Sequence, residues 1–379
     1  MRYLDHAATT VLRPQARDAM APFLDDAFGN PSGLHGVAQR AKNALEEARE
    51  RAAALLGADR PLEIVFTGGG TEADNLAVAG AALANGRRGG IVTTPIEHEA
   101  VLETAAFCGR LGCSVEYVGV DAVGTVDPVA VAGAVDESTA VVSVMAANNE
   151  VGTIQPVAAI ASAVRDVNPS TVVHSDAVQA FISEDVTVPV MGCDLIALAS
   201  HKVGGPKGVG LLYVRNGVEL EPVIHGGGQE IGRRSGTHNV AGIVGMVAAM
   251  EVTVADRTAF RDRIGAARDS FEEALRAEIP DLEVNGDPQR RLVQHSHVRF
   301  PGISAETLLV RLDQAGVAAA AGSACQSGAI EVSHVLEAMG FDETRAGESV
   351  RFSFGWVDDV ADGSAAAKEV ASVVHEVRR

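Results

Sequence analysis

The chain has 379 residues, 47% of them hydrophobic, and its 31 lysines and arginines are outnumbered by 50 aspartates and glutamates. This length and apolar content exclude a disordered chain and are enough for one large domain and a smaller one. The formal net charge is -19, and no basic run with interleaved aromatics occurs. Direct nucleic-acid binding is therefore not expected, because phosphate contacts need clustered cations.

The four cysteines, Cys108, Cys113, Cys193 and Cys325, form neither a disulfide framework nor a metal-binding C-x-x-C pattern. This cysteine usage indicates a reducing compartment. The N-terminal MRYLDHAATT lacks the apolar core of a signal peptide, and no apolar run reaches the roughly 18 residues of a membrane span. We expect a cytoplasmic protein without membrane contact, in which all the cysteines except Cys325 are structural.

From residue 62 onwards, short β-branched runs alternate with Ala-rich helical patterns. The predicted strands are LEIVFT, GGIVTT, SVEYVGV, TAVVSVMAA, TVVHSDA, DLIALAS and VGLLYV, with helical patterns such as TEADNLAVAGAALA among them. Apolar strands separated by helices predict a largely parallel sheet covered on both faces. Ligands bind such sheets at the carboxyl ends of the strands, so the residues that follow the strands are candidates for a site.

A long helical stretch is predicted from about residue 238 to residue 279, leading out of the large domain. Beyond it, LEVNG, HSHVRF and AETLLVRLDQAG predict a smaller α+β unit, which carries the loop AGSACQSG. In this loop Cys325 stands among small residues, whereas a structural cysteine usually has larger apolar neighbours. The thiol is a candidate for a reactive role, although such loops also form ordinary turns.

The first glycine-rich loop, TGGGTEADN at residues 67–75, follows a predicted strand and opens a predicted helix. Its glycines allow a sharp turn and the close approach of a ligand, while Thr71 and the free N–H groups of the helix start face any bound anion. It is neither a Walker loop nor a G-x-G-x-x-G fingerprint. A phosphate site and a capped helix start without a ligand both fit this pattern.

Two further candidates follow predicted strands. In HSDAVQA, Asp176 and Gln179 can point the same way, and the carboxylate could pair with a protonated ring nitrogen or cap the next helix. In ASHKVGGPKGVG, Lys202 follows a strongly apolar strand, where desolvation would lower its pKa and free the amine for Schiff-base chemistry. A solvated loop lysine is the alternative.

The segment HGGGQEIGRRSGTHN, which contains Thr237, is a second anion-friendly loop, and Arg351 in VRFSFG offers a planar guanidinium suited to bidentate carboxylate recognition. Either arginine site could instead be a surface ion pair. An anion site, a strand-end Asp and a strand-end Lys are, however, the three parts that are needed to hold pyridoxal phosphate.

The chain resembles the cysteine desulfurases, which are class V, fold-type I pyridoxal-phosphate enzymes. The motifs that carry the resemblance follow in family order over nearly the whole chain: YLDHAATT, FGNPSGLH, FTGGGTEADNLA, EHEAVL, ANNEVGTIQP, HSDAVQ, SHKVGGPKGVG, HGGGQEIGRRSGT, GSACQSG and VRFSFG. It implies an α/β fold whose large domain, residues 13–255, has a mainly parallel seven-stranded sheet flanked by helices. A smaller α+β domain, residues 1–12 and 256–379, would carry the catalytic cysteine loop.

The resemblance also implies roles for individual residues. Lys202 would hold pyridoxal 5'-phosphate covalently and later remove the Cα proton of the substrate, with Asp176 on the pyridine nitrogen and His98 stacked over the ring. Cys325 would accept the sulfur as a persulfide, its own proton going to His98 or to the substrate amine. The remaining cofactor ligands would be Gly70, Thr71, Asn149, Gln179, Ser200, His201 and, from the partner subunit of a homodimer, Thr237. Asn149 and Arg351 would bind the substrate carboxylate.

By this resemblance the protein would convert L-cysteine to L-alanine and pass the sulfur to an acceptor protein of iron–sulfur cluster assembly or a thiolation pathway. The alternatives are a selenocysteine lyase or another class V lyase, a non-catalytic subunit of a sulfur-relay complex, and a nucleotide-binding α/β protein. Ala199 stands where family members often have a serine, so Ser200 is the other candidate for that phosphate hydroxyl. We predict no metal site, and His6, His35, His295, His297 and His334 are expected to be structural.

Overall fold

The structure is a computed structural model that describes residues 1–322 and 332–379. Its strands are β1 (Arg2–Tyr3), β2 (Ile64–Thr67), β3 (Gly90–Thr93), β4 (Val115–Tyr117), β5 (Thr139–Ser143), β6 (Val172–Asp176), β7 (Leu195–Ala199), β8 (Gly210–Val214), β9 (Glu283–Asn285), β10 (His295–Arg299), β11 (Val317–Ala318) and β12 (Ser349–Ser353). Its helices are α1 (Pro14–Leu24), α2 (Gly36–Leu56), α3 (Gly70–Leu83), α4 (Glu99–Arg110), α5 (Pro128–Gly133), α6 (Val157–Val167), α7 (Val188–Met191), α8 (Val240–Glu278), α9 (Ala305–Gln314), α10 (His334–Ala338), α11 (Glu343–Gly347) and α12 (Val360–Val377).

The largest sheet has seven strands in the order β2-β8-β7-β6-β5-β3-β4. The pairs β7-β6, β6-β5, β5-β3 and β3-β4 are parallel. Strand β8 runs antiparallel to both of its neighbours, β2 and β7. The connection from β7 to β8 is only the stretch 200–209, too short for the crossover of about a dozen residues that a parallel pair needs. The mainly parallel sheet predicted from the sequence is confirmed, with β8 as its antiparallel member.

Both faces of this sheet are covered at its centre, which is why strands such as β7 and β8 are continuously apolar. Along β7, Ile196 and Leu198 face the main core, which α2, α6 and α8 share, while Leu195 and Ala197 face a second core against α3. All five residues of β7 are buried. Burial on both faces explains the run LIALA, because a strand with one wet face would alternate apolar and polar residues.

A second, antiparallel sheet has the order β12-β10-β9, and β1 pairs in parallel with β11. Phe271 of α8 packs on this sheet, with ring centroids 5.1 Å from Phe352 and 5.6 Å from Phe354. The predicted domain boundary at residue 255 falls inside α8, which continues from Val240 to Glu278, and the division into two domains stays a prediction. Among the helices described, none is long and apolar enough to cross a membrane.

Candidate active site

A cleft with a volume of 330 Å³ lies at the carboxyl ends of the strands of the large sheet. Several strands of the large sheet deliver a candidate residue to it, because parallel strands terminate at the same edge of a sheet. The structure brings together Gly70, Thr71, His98, Asn149, Asp176, Gln179, His201, Lys202 and Arg351, all of which line the cleft. Nine residues that were singled out from sequence therefore meet in one place, although they come from widely separated parts of the chain.

Lys202 lies in a short 3-10 turn, Ser200–Lys202, directly after β7. Its ammonium group donates to the carbonyl oxygens of Ala7 at 2.5 Å and Ala8 at 2.8 Å. Burial, with a smaller contribution from the positive charge of Arg351, lowers the pKa of Lys202 from 10.5 to about 8, while the carboxylate of Asp176 opposes the change. An amine with this pKa is partly neutral near pH 7, as it must be to attack an aldehyde.

Asp176 ends β6, and its carboxylate is buried with Oδ1 accepting from the backbone N–H of Val178 at 2.9 Å. Burial raises the pKa of Asp176, and the neighbouring His98 and Lys202 act in the opposite direction. Asp74 and Glu97 are buried close by. Burial raises the pKa of Asp74 well above its ordinary value and that of Glu97 to about 8, so that burial favours the neutral acid at both positions. A protonated ring nitrogen at Asp176 would stabilise its charge.

The glycine-rich loop before α3 fits an anion. A Cβ added at Gly70 would lie 3.2 Å from Val178 Cγ2 and 3.3 Å from Ala199 Cβ, so glycine lets this helix start fit tightly between two strand ends. Thr71 and His201 line the cleft beside it. Free N–H groups at the start of a 14-residue helix favour negative charge, so this part of the cleft suits a phosphate group.

Arg351 reaches the cleft from β12 and is largely buried. Its Nη1 donates to the carbonyl oxygen of Asn149 and its Nη2 to Asp5 Oδ1, each at 2.8 Å. Its backbone N–H and C=O both bond to Ala320, at 2.6 and 3.1 Å. These bonds fix Arg351 between Asn149, which follows β5, and Ala320, which precedes the segment that carries Cys325.

Two of the candidate residues, Ser200 and Thr237, do not line the cleft. The Ser200 hydroxyl is buried, has no hydrogen-bond partner within residues 1–322 and 332–379, and faces Gly205, because the turn after β7 directs Ala199 and His201, but not Ser200, to the cleft. Its role as a phosphate ligand stays a prediction. Thr237 lies in an exposed loop outside the cleft of its own chain. Cys325 lies outside the described residues.

The cleft also contains residues that sequence reasoning missed. Asp74 and Glu150 line it, as does His334, for which only a structural role was expected, and Glu97 is buried close by. Asp74 and Glu150 stand inside the motifs TGGGTEADN and ANNEVGTIQP, so those motifs already contained them. Nothing in the motifs showed that these carboxyl groups would be buried.

Comparison with known proteins agrees with this geometry. The family model for class-V aminotransferases matches residues 2–362, so the chain belongs to that family of fold-type I pyridoxal-phosphate proteins. Within it, the cysteine desulfurase IscS of Dictyoglomus turgidum is 42% identical over 354 residues, which cover 93% of this chain and 89% of the relative. The chain is therefore a member of the cysteine desulfurases, and its cofactor is pyridoxal phosphate.

Solved structures place the chain in the same group. A NifS-like protein superposes with a TM-score of 0.92 at 36% identity, and the match covers 99% of this chain and 100% of the other. SspA in complex with cysteine superposes with a TM-score of 0.81 at 34% identity, covering 93% of this chain and 99% of the other. Both matches cover more than nine tenths of this chain, so the likeness is not confined to one part of the fold.

Proposed function

We propose that the protein is a cysteine desulfurase that converts L-cysteine to L-alanine and transfers the sulfur to Cys325 as a persulfide. The observation that carries this proposal is the meeting of Lys202, Asp176 and the anion cradle of α3 in one cleft. These are an amine of lowered pKa, a buried carboxylate and a phosphate site. The cysteine desulfurases among its relatives support the choice of reaction.

The residues present fit pyridoxal phosphate. Lys202 would hold it through its amine, Asp176 would pair with the ring nitrogen, and Thr71, His201 and the N–H groups of α3 would hold the phosphate. Exposed His98 at the start of α4 would cover the ring, and Gln179 would reach the ring hydroxyl. When bound, the cofactor supplies an electron sink for the bonds at the Cα of the substrate.

The protein's own groups then have definite tasks. Asn149 and Arg351 would bind the carboxylate of L-cysteine, and the Lys202 amine would accept the Cα proton. The Cys325 thiolate would attack the substrate sulfur, so that an S–S bond forms as the C–S bond breaks. The electron pair of the C–S bond stays on the carbon skeleton, which takes up a proton and leaves as alanine.

We further infer a cytoplasmic homodimer with shared active sites. The exposed position of Thr237, away from the cleft of its own chain, supports a role in the cleft of the other protomer. Cys108, Cys113 and Cys193 are free thiols, in keeping with a reducing compartment. The persulfide sulfur would pass to an acceptor protein of iron–sulfur cluster assembly or of a thiolation pathway.

The test is the release of alanine and sulfide from L-cysteine by the cofactor-loaded protein in the presence of a thiol reductant. We expect wild type to release both products and Lys202→Ala and Cys325→Ala to release neither. Cys113→Ala, which removes a buried thiol that does not line the cleft, is the matched control and should stay active. Turnover of selenocysteine alone would indicate a selenocysteine lyase, and failure to bind the cofactor would indicate a non-catalytic subunit.

A further inference from the structure

One buried carboxyl group in the cleft has no task in the reaction proposed above. Glu150 is 1% exposed, lines the cleft and leaves its Oε1 buried without a hydrogen-bond partner among the described residues. A buried polar group without a partner is destabilising, so its position in a native protein needs a reason. The carboxylate must be held here by contacts that matter more than the lost solvation.

Those contacts connect Glu150 to both ends of the segment 323–331, which carries Cys325. On the C-terminal side, the Ser333 hydroxyl donates to Glu150 Oε2 at 2.6 Å and also caps α10, accepting from the Leu336 N–H at 3.2 Å. On the N-terminal side, Gly322 packs directly on the same carboxylate, and a Cβ added there would overlap Glu150 Oε2. The Glu150 carboxylate therefore contacts Gly322, directly before the segment, and Ser333, shortly after it.

Glu150 is itself firmly held. Asn148 Oδ1 accepts from the N–H groups of Glu150 and Val151 at 2.9 and 3.0 Å, and Asn148 Nδ2 donates to the Ile96 carbonyl at 3.0 Å. This polar turn is buried, since Asn148 is fully inaccessible to solvent. These bonds fix the backbone of Glu150 relative to the strand ends that form the cleft, and the Ser333 hydroxyl holds its carboxylate.

The same turn also fixes the predicted substrate clamp. Between Asn148 and Glu150 lies Asn149, whose carbonyl oxygen accepts from Arg351. Arg351 is in turn paired through its backbone with Ala320, two residues before Gly322. The short turn 148–150 therefore contacts Arg351 through Asn149 and both ends of the segment 323–331 through Glu150.

We propose that Glu150 is a positioning residue for sulfur transfer. It fixes the two ends of the segment relative to Asn149 and Arg351, so that the Cys325 thiolate meets the sulfur of the bound substrate. This proposal rests on the proposed function, because it concerns the step in which the S–S bond forms and the C–S bond breaks. It assigns Glu150 no part in cofactor binding or in removal of the Cα proton.

The test separates the two halves of the reaction in the cofactor-loaded enzyme. The change in cofactor absorbance on mixing with L-cysteine reports substrate binding and Cα chemistry, and mass spectrometry of Cys325 after a single turnover reports the sulfur transfer. In Glu150→Ala we expect the absorbance change to keep its rate and persulfide formation to fall on the order of 10- to 100-fold, as for a misplaced reacting group. Ser333→Ala should act in the same direction with a smaller loss.

Two comparisons separate positioning from other roles. Glu150→Gln keeps the volume of the side chain and an oxygen that can accept from Ser333, so it should retain most of the rate of persulfide formation. A loss as large as that of Glu150→Ala would indicate a charge or proton-transfer role and would overturn the proposal. Gly322→Ala should slow persulfide formation in the wild-type background but add little to Glu150→Ala, where the overlapping carboxylate is gone.

The matched control is Ser296→Ala. Ser296 also donates from a buried hydroxyl to a glutamate, Glu272 Oε1 at 2.9 Å, but it lies in the small sheet and does not line the cleft. It should leave the persulfide rate unchanged. Equal slowing of absorbance change and persulfide formation in Glu150→Ala would overturn the proposal, whereas absence of any persulfide in wild type would instead overturn the proposed function. If Glu150→Ala does not fold, Ser333→Ala and Gly322→Ala test the same contacts.

Discussion

The lowered pKa of Lys202 predicts how fast the cofactor-free protein takes up pyridoxal phosphate at each pH. Only the neutral amine can attack the aldehyde, so the uptake rate should follow the neutral fraction of Lys202. Because burial lowers the pKa of this amine to about 8, the rate should rise tenfold per pH unit below that value and level off above it.

The magnitude follows from the two pKa values. With a pKa of about 8, roughly 9% of the Lys202 amine is neutral at pH 7, whereas an ordinary lysine with a pKa of 10.5 would be about 0.03% neutral. The cleft therefore increases the reactive fraction about 300-fold. The neighbouring charges give the sign for variants: Asp176→Asn should move the midpoint to lower pH, and Arg351→Leu should move it to higher pH.

Stopped-flow absorbance after mixing cofactor-free protein with pyridoxal phosphate between about pH 6 and pH 10 measures this directly. A free lysine derivative, mixed in the same buffers, serves as the control and should show a rate that still rises at the upper end. An uptake rate of the protein that continues to rise with the same slope to pH 10 would refute the reasoning. It would show that burial does not perturb Lys202.

Two further predictions concern stability and the anion cradle. Glu230→Ala removes the buried partner of Arg49, which it meets at 2.7 and 2.9 Å, and should lower the free energy of unfolding by about 3–5 kcal/mol in urea denaturation. Loss of the exposed partner in Glu46→Ala should change it by less than about 1 kcal/mol; equal effects would contradict the buried network. Gly70→Val adds branches where even a Cβ has only 3.2–3.3 Å of space, and should weaken binding of the cofactor, measured by equilibrium dialysis; unchanged affinity would argue against the cradle.

The fold was largely predictable because the central strands of its large sheet have no solvent-exposed face. Runs such as LIALA and GLLYV are apolar at every position, and both are buried at every position in the structure. The direction of β8 was not predictable in the same way, since composition does not distinguish a parallel from an antiparallel buried strand. What decides it is the length of the connection after β7, and that length becomes informative only once the strand bounds are known.

Within the site, predictability depends on which part of the fold supplies the residue. Asp176 and Lys202 follow strands of one sheet, so the topology alone brings them to the same edge. The partners of those residues come from elsewhere: Lys202 bonds to Ala7, 195 positions away, and Glu150 bonds to Ser333, 183 positions away. No periodicity or spacing in the sequence encodes such pairs.

Local backbone geometry explains why Ser200 does not line the cleft although its neighbours do. Ala199 ends β7 and His201 lies in the 3-10 turn that follows, and both line the cleft, whereas the side chain of Ser200 between them points away from it. A serine hydroxyl at position 200 instead of position 199 therefore points towards Gly205 and not into the cleft. With Ala at position 199, this part of the cleft keeps Thr71, His201 and the N–H groups of α3 as its donors towards an anion. The helix start is then a main contributor to phosphate binding within one protomer, which is why Gly70, where a Cβ would lie 3.2 Å from Val178 Cγ2, is the residue to substitute.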